Sequence, residues 1–269
     1  MSGKIEQLKD IMALLRDPQK GCPWDVEQTF ASIAPCTLEE AYEVLDAIES
    51  SDMEALKEEL GDLLLQVVFH SQMAYELGKF SFDDVTESII NKLISRHPHV
   101  FAAAEIKTAA EQASSWEAIK EIERKKKADN SKNLASALDG VAKALPATLR
   151  AAKLQKRAAK VGFDWPDLAG VFAKIEEELQ EVLAAVDSNI GIKEEIGDLL
   201  FSVINLARKL EVDPESALRD CNAKFERRFR YVEEQFSLAG TKIDEASLGE
   251  MDVFWEEAKA KDKDNIEIP

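Results

Sequence analysis

Apolar residues along this chain recur at spacings of three and four. Ile5, Leu8, Ile11, Met12 and Leu15 mark a first amphipathic helix, which Asp17-Pro18 ends. A loop with Gly21, Pro23 and Pro35 carries Trp24 and Asp25 and leads into a second helix near Leu38, where Thr37 is expected to cap with Glu40 at the capping-box position. After the short Ser50-Ser51-Asp52 connection the pattern predicts a helix from Asp52 to Leu77, closed by Gly78. Val85, Ile89, Ile90, Leu93 and Ile94 place another over 82–96, broken by His97-Pro98-His99. A further helix, from Glu111 to about Lys127, ends in Arg124-Lys125-Lys126-Lys127 ahead of a polar stretch at 129–133. Alternating strand patterns are scarce, so the chain reads as all-α.

The pattern then starts again. Lys174-Ile-Glu-Glu177-Glu178-Leu-Gln-Glu181 repeats the EExxE element at Glu39-Glu40-Ala-Tyr-Glu43, and Glu194-Glu195-Ile-Gly197-Asp198 repeats Glu58-Glu59-Leu-Gly61-Asp62. Arg16 precedes Trp24 by eight residues and Arg157 precedes Trp165 by eight. Downstream, Lys92 and Arg96 answer to Lys224 and Arg228, and Trp116 answers to Trp255. One ExxE is commonplace on a helix, but two ordered sets of six elements indicate duplicated domains. The expected organisation is a first repeat over 1–128, a linker over 129–145, a second repeat over 146–262 and a polar tail over 263–269.

Within each repeat the acidic elements fall on successive helices. Residues three apart share a helix face, so antiparallel packing brings Glu40 and Glu43 to Glu59 and Asp62, and Glu178 and Glu181 to Glu195 and Asp198. Such clusters repel themselves, and no Lys or Arg lies between Gly21 and Leu56, or between Lys174 and Lys193. A solvated, salt-bridged face is the plain alternative. The missing countercharge favours a hard divalent cation with oxygen ligands, Mg²⁺ above all, with Mn²⁺ as a substitute. A di-iron bundle would need Glu-x-x-His motifs, and none of His70, His97 and His99 follows a Glu by three. Gly61 and Gly197 sit inside helical patterns, where Gly costs roughly 1 kcal/mol against Ala. Close helix packing beneath the site, or close approach of a ligand, would explain them.

Composition narrows the partners. A formal net charge of −18 lacks the basic footprint of a nucleic-acid or anionic-membrane binder. Cys22, Cys36 and Cys221 are dispersed and form neither a disulfide framework nor a zinc site. No apolar run approaches the ~20 residues that span a bilayer, and the amino terminus has no signal core. A cytoplasmic protein is expected.

A carboxylate cage, a basic pair one helical turn apart and an aromatic together suit a metal-bound triphosphate: carboxylates hold Mg²⁺, Lys or Arg neutralises phosphate, and a tryptophan offers a face for a base. Packing into the core is the other reading of Trp116 and Trp255. These elements, with the segments GCPWDVEQTF, VGFDW, RHPHVF and KFERRFR, resemble the MazG family of two-repeat nucleoside triphosphate pyrophosphohydrolases over nearly the whole chain. The resemblance implies an all-α fold, a homodimer, Mg²⁺ dependence, hydrolysis of NTPs and dNTPs to the monophosphate and pyrophosphate, and nucleotide-pool house-cleaning linked to nutritional stress. It implies metal ligands at Glu178, Glu181, Glu195 and Asp198, and nucleotide contacts around Lys174, Lys224, Arg228 and Trp255, with Arg157 beside them. The first-repeat counterparts are Glu40, Glu43, Glu59, Asp62, Lys92, Arg96 and Trp116. Glu177 or Glu194 is the candidate to orient the attacking water. The second repeat is expected to be the working copy, because Arg150, Lys153, Lys156, Arg157, Lys160, Arg227, Arg228 and Arg230 surround its site, against Lys9, Arg16, Lys20, Lys92 and Arg96 in the first. A silent module that captures metal–NTP without turnover, or an acidic helical scaffold, are the alternatives.

Overall fold

The computed structural model describes residues 3–101 and 136–266, together with 108, 111, 112, 116 and 119. The basic run 124–127, the polar stretch 129–133 and most of the helix expected over 111–127 lie outside the described residues. Among the described residues all regular structure is helical, as the periodicity requires. The chain divides into two compact units, Met1–Glu121 and Ile122–Pro269.

The first unit contains α1 (Lys4–Leu15), α2 (Pro23–Glu27), α3 (Phe30–Glu49), α4 (Met53–Glu76), α5 (Phe82–Arg96) and the short α6 (Pro98–Phe101). Helix α3 starts well before the expected Leu38. Its N-cap is Thr29, whose hydroxyl accepts from the Ser32 N–H while Ser32 Oγ accepts from the Thr29 N–H, a complete capping box. Thr37 is therefore not the cap but an interior residue, with its hydroxyl 3.0 Å from His70 Nε2. Pro35, which argues locally for a loop, lies inside the helix at the loss of one backbone hydrogen bond. The early turns place Ile33 in the core with Met12, Val68, Phe69 and Met73, and that burial decides the matter. Asp52 caps α4 by accepting from the N–H groups of Glu54 and Ala55, so α3 and α4 run antiparallel through the predicted short connection.

Arg16 fastens the ends of this unit. Its guanidinium donates to Glu76 Oε1 at 2.9 Å and Oε2 at 2.6 Å, reaches the carbonyls of Asp25 and Gln28, and lies 5.4 Å from the Phe69 ring centroid. Gly21 follows because no side chain fits there: a Cβ would collide with the Leu15 and Asp17 backbone.

The second unit contains α7 (Ala147–Lys160), α8 (Leu168–Ser188), α9 (Ile192–Lys209), α10 (Pro214–Leu238), a 3₁₀ turn (Ile243–Glu245) and α11 (Leu248–Ile266). Helices α8 and α9 pair as α3 and α4 do, with α7 against α9 and α11 against α10. The loop before α8 is held by Asp164, which pairs with Arg208 and, at 3.0 Å, with Lys209 at the end of α9. Burial alone would raise the Asp164 carboxyl, but hydrogen bonds from Arg208 and Lys209 outweigh it and hold the group below its ordinary value.

The apolar stripe on α4 splits. Val68 turns into the core at 2% exposure, while Leu60, Leu64 and Val67 stay exposed, as do Ile89, Ile90, Leu93 and Ile94 on α5. Ile196, Leu200 and Val203 on α9 are likewise exposed. At Gly61 and Gly197 an added Cβ would meet nothing within 4 Å. Close helix packing beneath the site, the first of the two readings of these glycines, is therefore not seen among the described residues of either unit.

Candidate functional site

Helical spacing and antiparallel pairing assemble one acidic cluster per unit. In the first, carboxylate oxygens of Glu40 and Glu43 on α3 and Glu59 on α4 lie within 4.8 Å of one another. Burial, then the charges of Asp62, Glu43 and Glu59, pushes the Glu40 carboxyl above its ordinary value. Glu59 is raised by burial and by Glu43, Asp62 and Glu58. Asp62 thus belongs to the cluster electrostatically, though it stands outside the tightest group.

In the second unit the matching oxygens come from Glu178, Glu181 and Glu195, again within 4.8 Å. Here the centre is buried. Glu178 is 4% exposed, its Oε1 takes Lys174 Nζ at 2.7 Å, and its Oε2 is buried with no hydrogen-bond partner among the described residues. Lys174 also reaches Glu177 Oε1 at 3.0 Å, and hydrogen bonds to Glu178 and then Glu177 hold its ammonium well above the usual lysine value. Glu181 is raised by burial first and by the charge of Glu178 next, with Lys174 working against both. Leaving a buried carboxylate oxygen unmatched costs free energy. A hard cation taking that oxygen with Glu181 and Glu195 would remove the cost, and the all-oxygen donor set fits Mg²⁺.

Asp198 enters through a cavity. A space of about 750 Å³ is lined by Lys174, Glu178 and Asp198 at one part of its wall and by Trp165, Gln155, Phe201, Ser202, Asn205 and Arg208 elsewhere. Leu138, in the expected linker, also lines it. Apart from Trp165, the residues of this second group were not singled out by sequence. Their signal is faint but present: Ser202 and Asn205 interrupt the apolar pattern of α9 three residues apart.

The remaining candidates fall elsewhere. Glu177 and Glu194 are exposed, Glu177 ion-paired to Lys174 and Glu194 in the first turn of α9. Arg228 and Trp255 come together on α10 and α11: Arg228 Nε donates to Asp262 at 2.7 Å, its guanidinium sits 5.8 Å from the Trp255 ring centroid, and Trp255 tilts against Phe225. Arg227 shares Asp262 and Arg230 pairs with Glu226, so part of the basic charge counted around Lys224 is already matched within the chain. Arg157 lies on α7. In the first unit Lys92 and Arg96 lie on α5, and Trp116 meets the His97 ring edge-on at 5.5 Å. His97 ends α5 with Nδ1 2.8 Å from the Leu93 carbonyl oxygen, a turn role as expected. Arg16, counted as a phosphate-side charge, is instead consumed by Glu76.

Tandem helical units, each joining an ExxE helix to an ExxD helix through their carboxylates, define a class of acidic-cluster α-proteins. A family model described as the MazG nucleotide pyrophosphohydrolase domain matches residues 28–101 and 169–232. The chain belongs to that family. It is 49% identical over 265 residues to a nucleoside triphosphate pyrophosphohydrolase of Escherichia coli (strain K12), covering 97% of this chain and 99% of that one. It is 44% identical over 259 residues to the nucleoside triphosphate pyrophosphohydrolase/pyrophosphatase MazG of Thermotoga maritima, covering 96% and 97%. The uncharacterized protein YabN of Bacillus subtilis (strain 168) is 42% identical over 263 residues, which span 97% of this chain and 52% of that protein. No described helix is long and apolar enough to cross a membrane.

Proposed function

We propose that this chain is an enzyme that hydrolyses NTPs and dNTPs between the α- and β-phosphates, releasing the nucleoside monophosphate and pyrophosphate. The observation that carries the reading is the buried, unmatched Oε2 of Glu178 within an acidic cluster that opens on a cavity. Glu178, Glu181, Glu195 and Asp198 would hold Mg²⁺, or Mn²⁺ in its place, which supplies Lewis acidity and lowers the pKa of a bound water. Lys174, beside Glu178, would meet phosphate charge. Glu194 and Glu177 stand next to the ligands in sequence and are the carboxylates available to orient water. The relatives' names support the substrate class. Incubation with dNTPs and Mg²⁺, with the phosphate products resolved, should give pyrophosphate and dNMP; orthophosphate with dNDP would sink the assignment. In the cell, nucleotide-pool house-cleaning in the cytoplasm under nutritional stress is the matching role, which a deletion strain with unchanged pools of non-standard dNTPs would refute.

The acidic clusters make a thermodynamic prediction. The folded carboxyls of Glu40, Glu59 and Glu181 lie above the ordinary glutamate value of 4.5. In metal-free protein the native state therefore holds more protons than the unfolded chain from about that value upward, and stability falls as pH rises through the window. Mg²⁺ should raise the melting temperature at pH 7 and do so less as pH falls toward 5, since protons compete for the same oxygens. Calorimetry in EDTA and in Mg²⁺ decides; an increment independent of pH would contradict the assignment of these carboxylates.

A homodimer is the second part of the proposal. Exposed Leu60, Leu64 and Val67, and exposed Ile196, Leu200 and Val203, form apolar stripes that want cover, and the open space over Gly61 and Gly197 lets another backbone approach. Like repeats pairing across a two-fold axis would cover both. Sedimentation equilibrium should report a dimer at micromolar concentration, and a monomer there would remove the idea. Capture of metal–NTP without turnover is the competing function; tight binding with no product over hours in Mg²⁺ would establish it.

A further inference from the structure

The cavity of the second unit holds two side-chain amides whose orientations are fixed by partners with a single chemical role. Gln155, 8% exposed, lies beside the Phe201 carbonyl at 2.8 Å. A carbonyl only accepts, so the nearer Gln155 atom is Nε2, and Oε1 is left buried without a partner among the described residues. Asn205 lies against Arg208, whose Nε and Nη2 approach one amide atom at 3.1 and 2.7 Å. A guanidinium only donates, so that atom is Oδ1, and Arg208 is itself locked by Asp164. Nδ2 of Asn205 is thereby the amide end not committed to Arg208. The residues lining the cavity thus include one amide with a buried, unmatched acceptor and one whose nitrogen is not committed to Arg208, together with Trp165, Phe201, Lys174, Glu178 and Asp198.

We propose that Gln155 and Asn205 read the edge of the nucleobase in the second repeat. Gln155 Oε1 accepts from a base N–H, Asn205 Nδ2 donates to the neighbouring ring nitrogen or carbonyl, and the triphosphate extends toward the acidic end. The inference rests on the nucleotide-substrate reading above and goes beyond it by assigning the residues that set base preference. A volume of about 750 Å³ is within the range of nucleotide-sized ligand sites. A site built to hydrogen-bond its ligand rejects analogues that leave a buried polar atom unpaired, which is the condition of Gln155 Oε1. The first repeat supplies the contrast. Asn205 follows Asp198 by seven residues as Phe69 follows Asp62, and Phe69 is 3% exposed within the solid core of Met12, Ile33, Val68 and Met73. Where the second unit has a cavity-lining amide, the first has a buried ring.

Equilibrium titration of the full chain with the α,β-methylene analogues of ATP, GTP, CTP and UTP in Mg²⁺ reads this pocket without turnover. Asn205→Asp keeps an acceptor for Arg208 and turns the amide end not committed to Arg208 into an acceptor. It should reorder the four affinities, changing at least one ratio by about tenfold or more. Gln155→Leu removes the unmatched acceptor, should leave the melting temperature at or above that of the parent chain, and should flatten the differences among the four. It decides the question alone if Asn205→Asp proves unstable. A common loss across all four analogues in the tested variants, or no change in any ratio, overturns the proposal, as does a parent chain that binds none of them. A parent chain that discriminates among the analogues yet releases no pyrophosphate from NTPs would leave base reading in place and remove the hydrolytic function instead.

Discussion

Glu178→Gln combined with Glu181→Gln should abolish pyrophosphate release, while Glu40→Gln with Glu43→Gln should leave most of it. The loss should exceed the roughly 10–100-fold that removal of an outer partner of a metal ligand costs, because these two carboxylates are the candidate ligands themselves. Both repeats assemble three carboxylates within 4.8 Å, so the acidic sets do not separate them. The surroundings do. Glu178 is buried and opens on a cavity, whereas Glu40 is half-buried and Glu43 exposed, and the first unit has Phe69 where the second has the cavity-lining Asn205. Initial rates of pyrophosphate release for the two double variants check the assignment. If the first-repeat variant is the dead one, or both lose about half, the active site is not confined to the second repeat.

Arg16→Ala should cost the first unit about 3 kcal/mol, the low end for stripping one partner from a buried ion pair. The Arg16 side chain is 8% exposed and Glu76 33%, so water reaches the abandoned carboxylate in part. The same substitution also frees the Asp25 and Gln28 carbonyls at the end of α2, the short helix that carries Trp24 where a loop was expected. Arg16→Lys should recover little, since an ammonium cannot reproduce the two-pronged contact. The hydrogen bond from Arg16 holds the Glu76 carboxyl below the ordinary 4.5, with Gln72 adding to it and burial opposing. A depressed folded value contributes stability above the unfolded value and loses it as pH falls through the folded one. The gap between parent and variant should therefore close on acidification below about 4.5. Urea midpoints across pH measure it, and a gap under about 1 kcal/mol at pH 7 would show that Arg16 does not fasten the unit.

The same residue shows what the sequence could convey and what it could not. Periodicity located the long helices α1, α4 and α5 but not the short α2, which falls in the expected loop. The repeated ExxE and ExxD elements located both clusters, since i to i+3 spacing on antiparallel neighbours leaves the carboxylates nowhere else to go. Residue counts did not reveal which charges were already matched. Arg16 looked like phosphate-side charge until Glu76, sixty positions away, took it; Arg227 and Arg228 likewise meet Asp262 from another helix. The start of α3 was hidden by Pro35, because the burial of Ile33 that outweighs the lost hydrogen bond is a tertiary effect. The cavity was hidden for the same reason: Gln155 and Asn205 look like ordinary polar helix residues until their partners fix which end of each amide is already bonded.

Lys174 gives the second cluster a countercharge of its own, at 2.7 Å from Glu178 and 3.0 Å from Glu177. A cation taken up on the other oxygen of Glu178 would therefore meet a positive charge already in place, and since two positive charges on one carboxylate repel, its arrival would weaken the hold of Lys174 on Glu178. Apparent affinity would then report the difference between two ionic bonds. The ammonium set loose remains tethered by its own helix beside the cavity, where the next negative charge to arrive is the one it can follow.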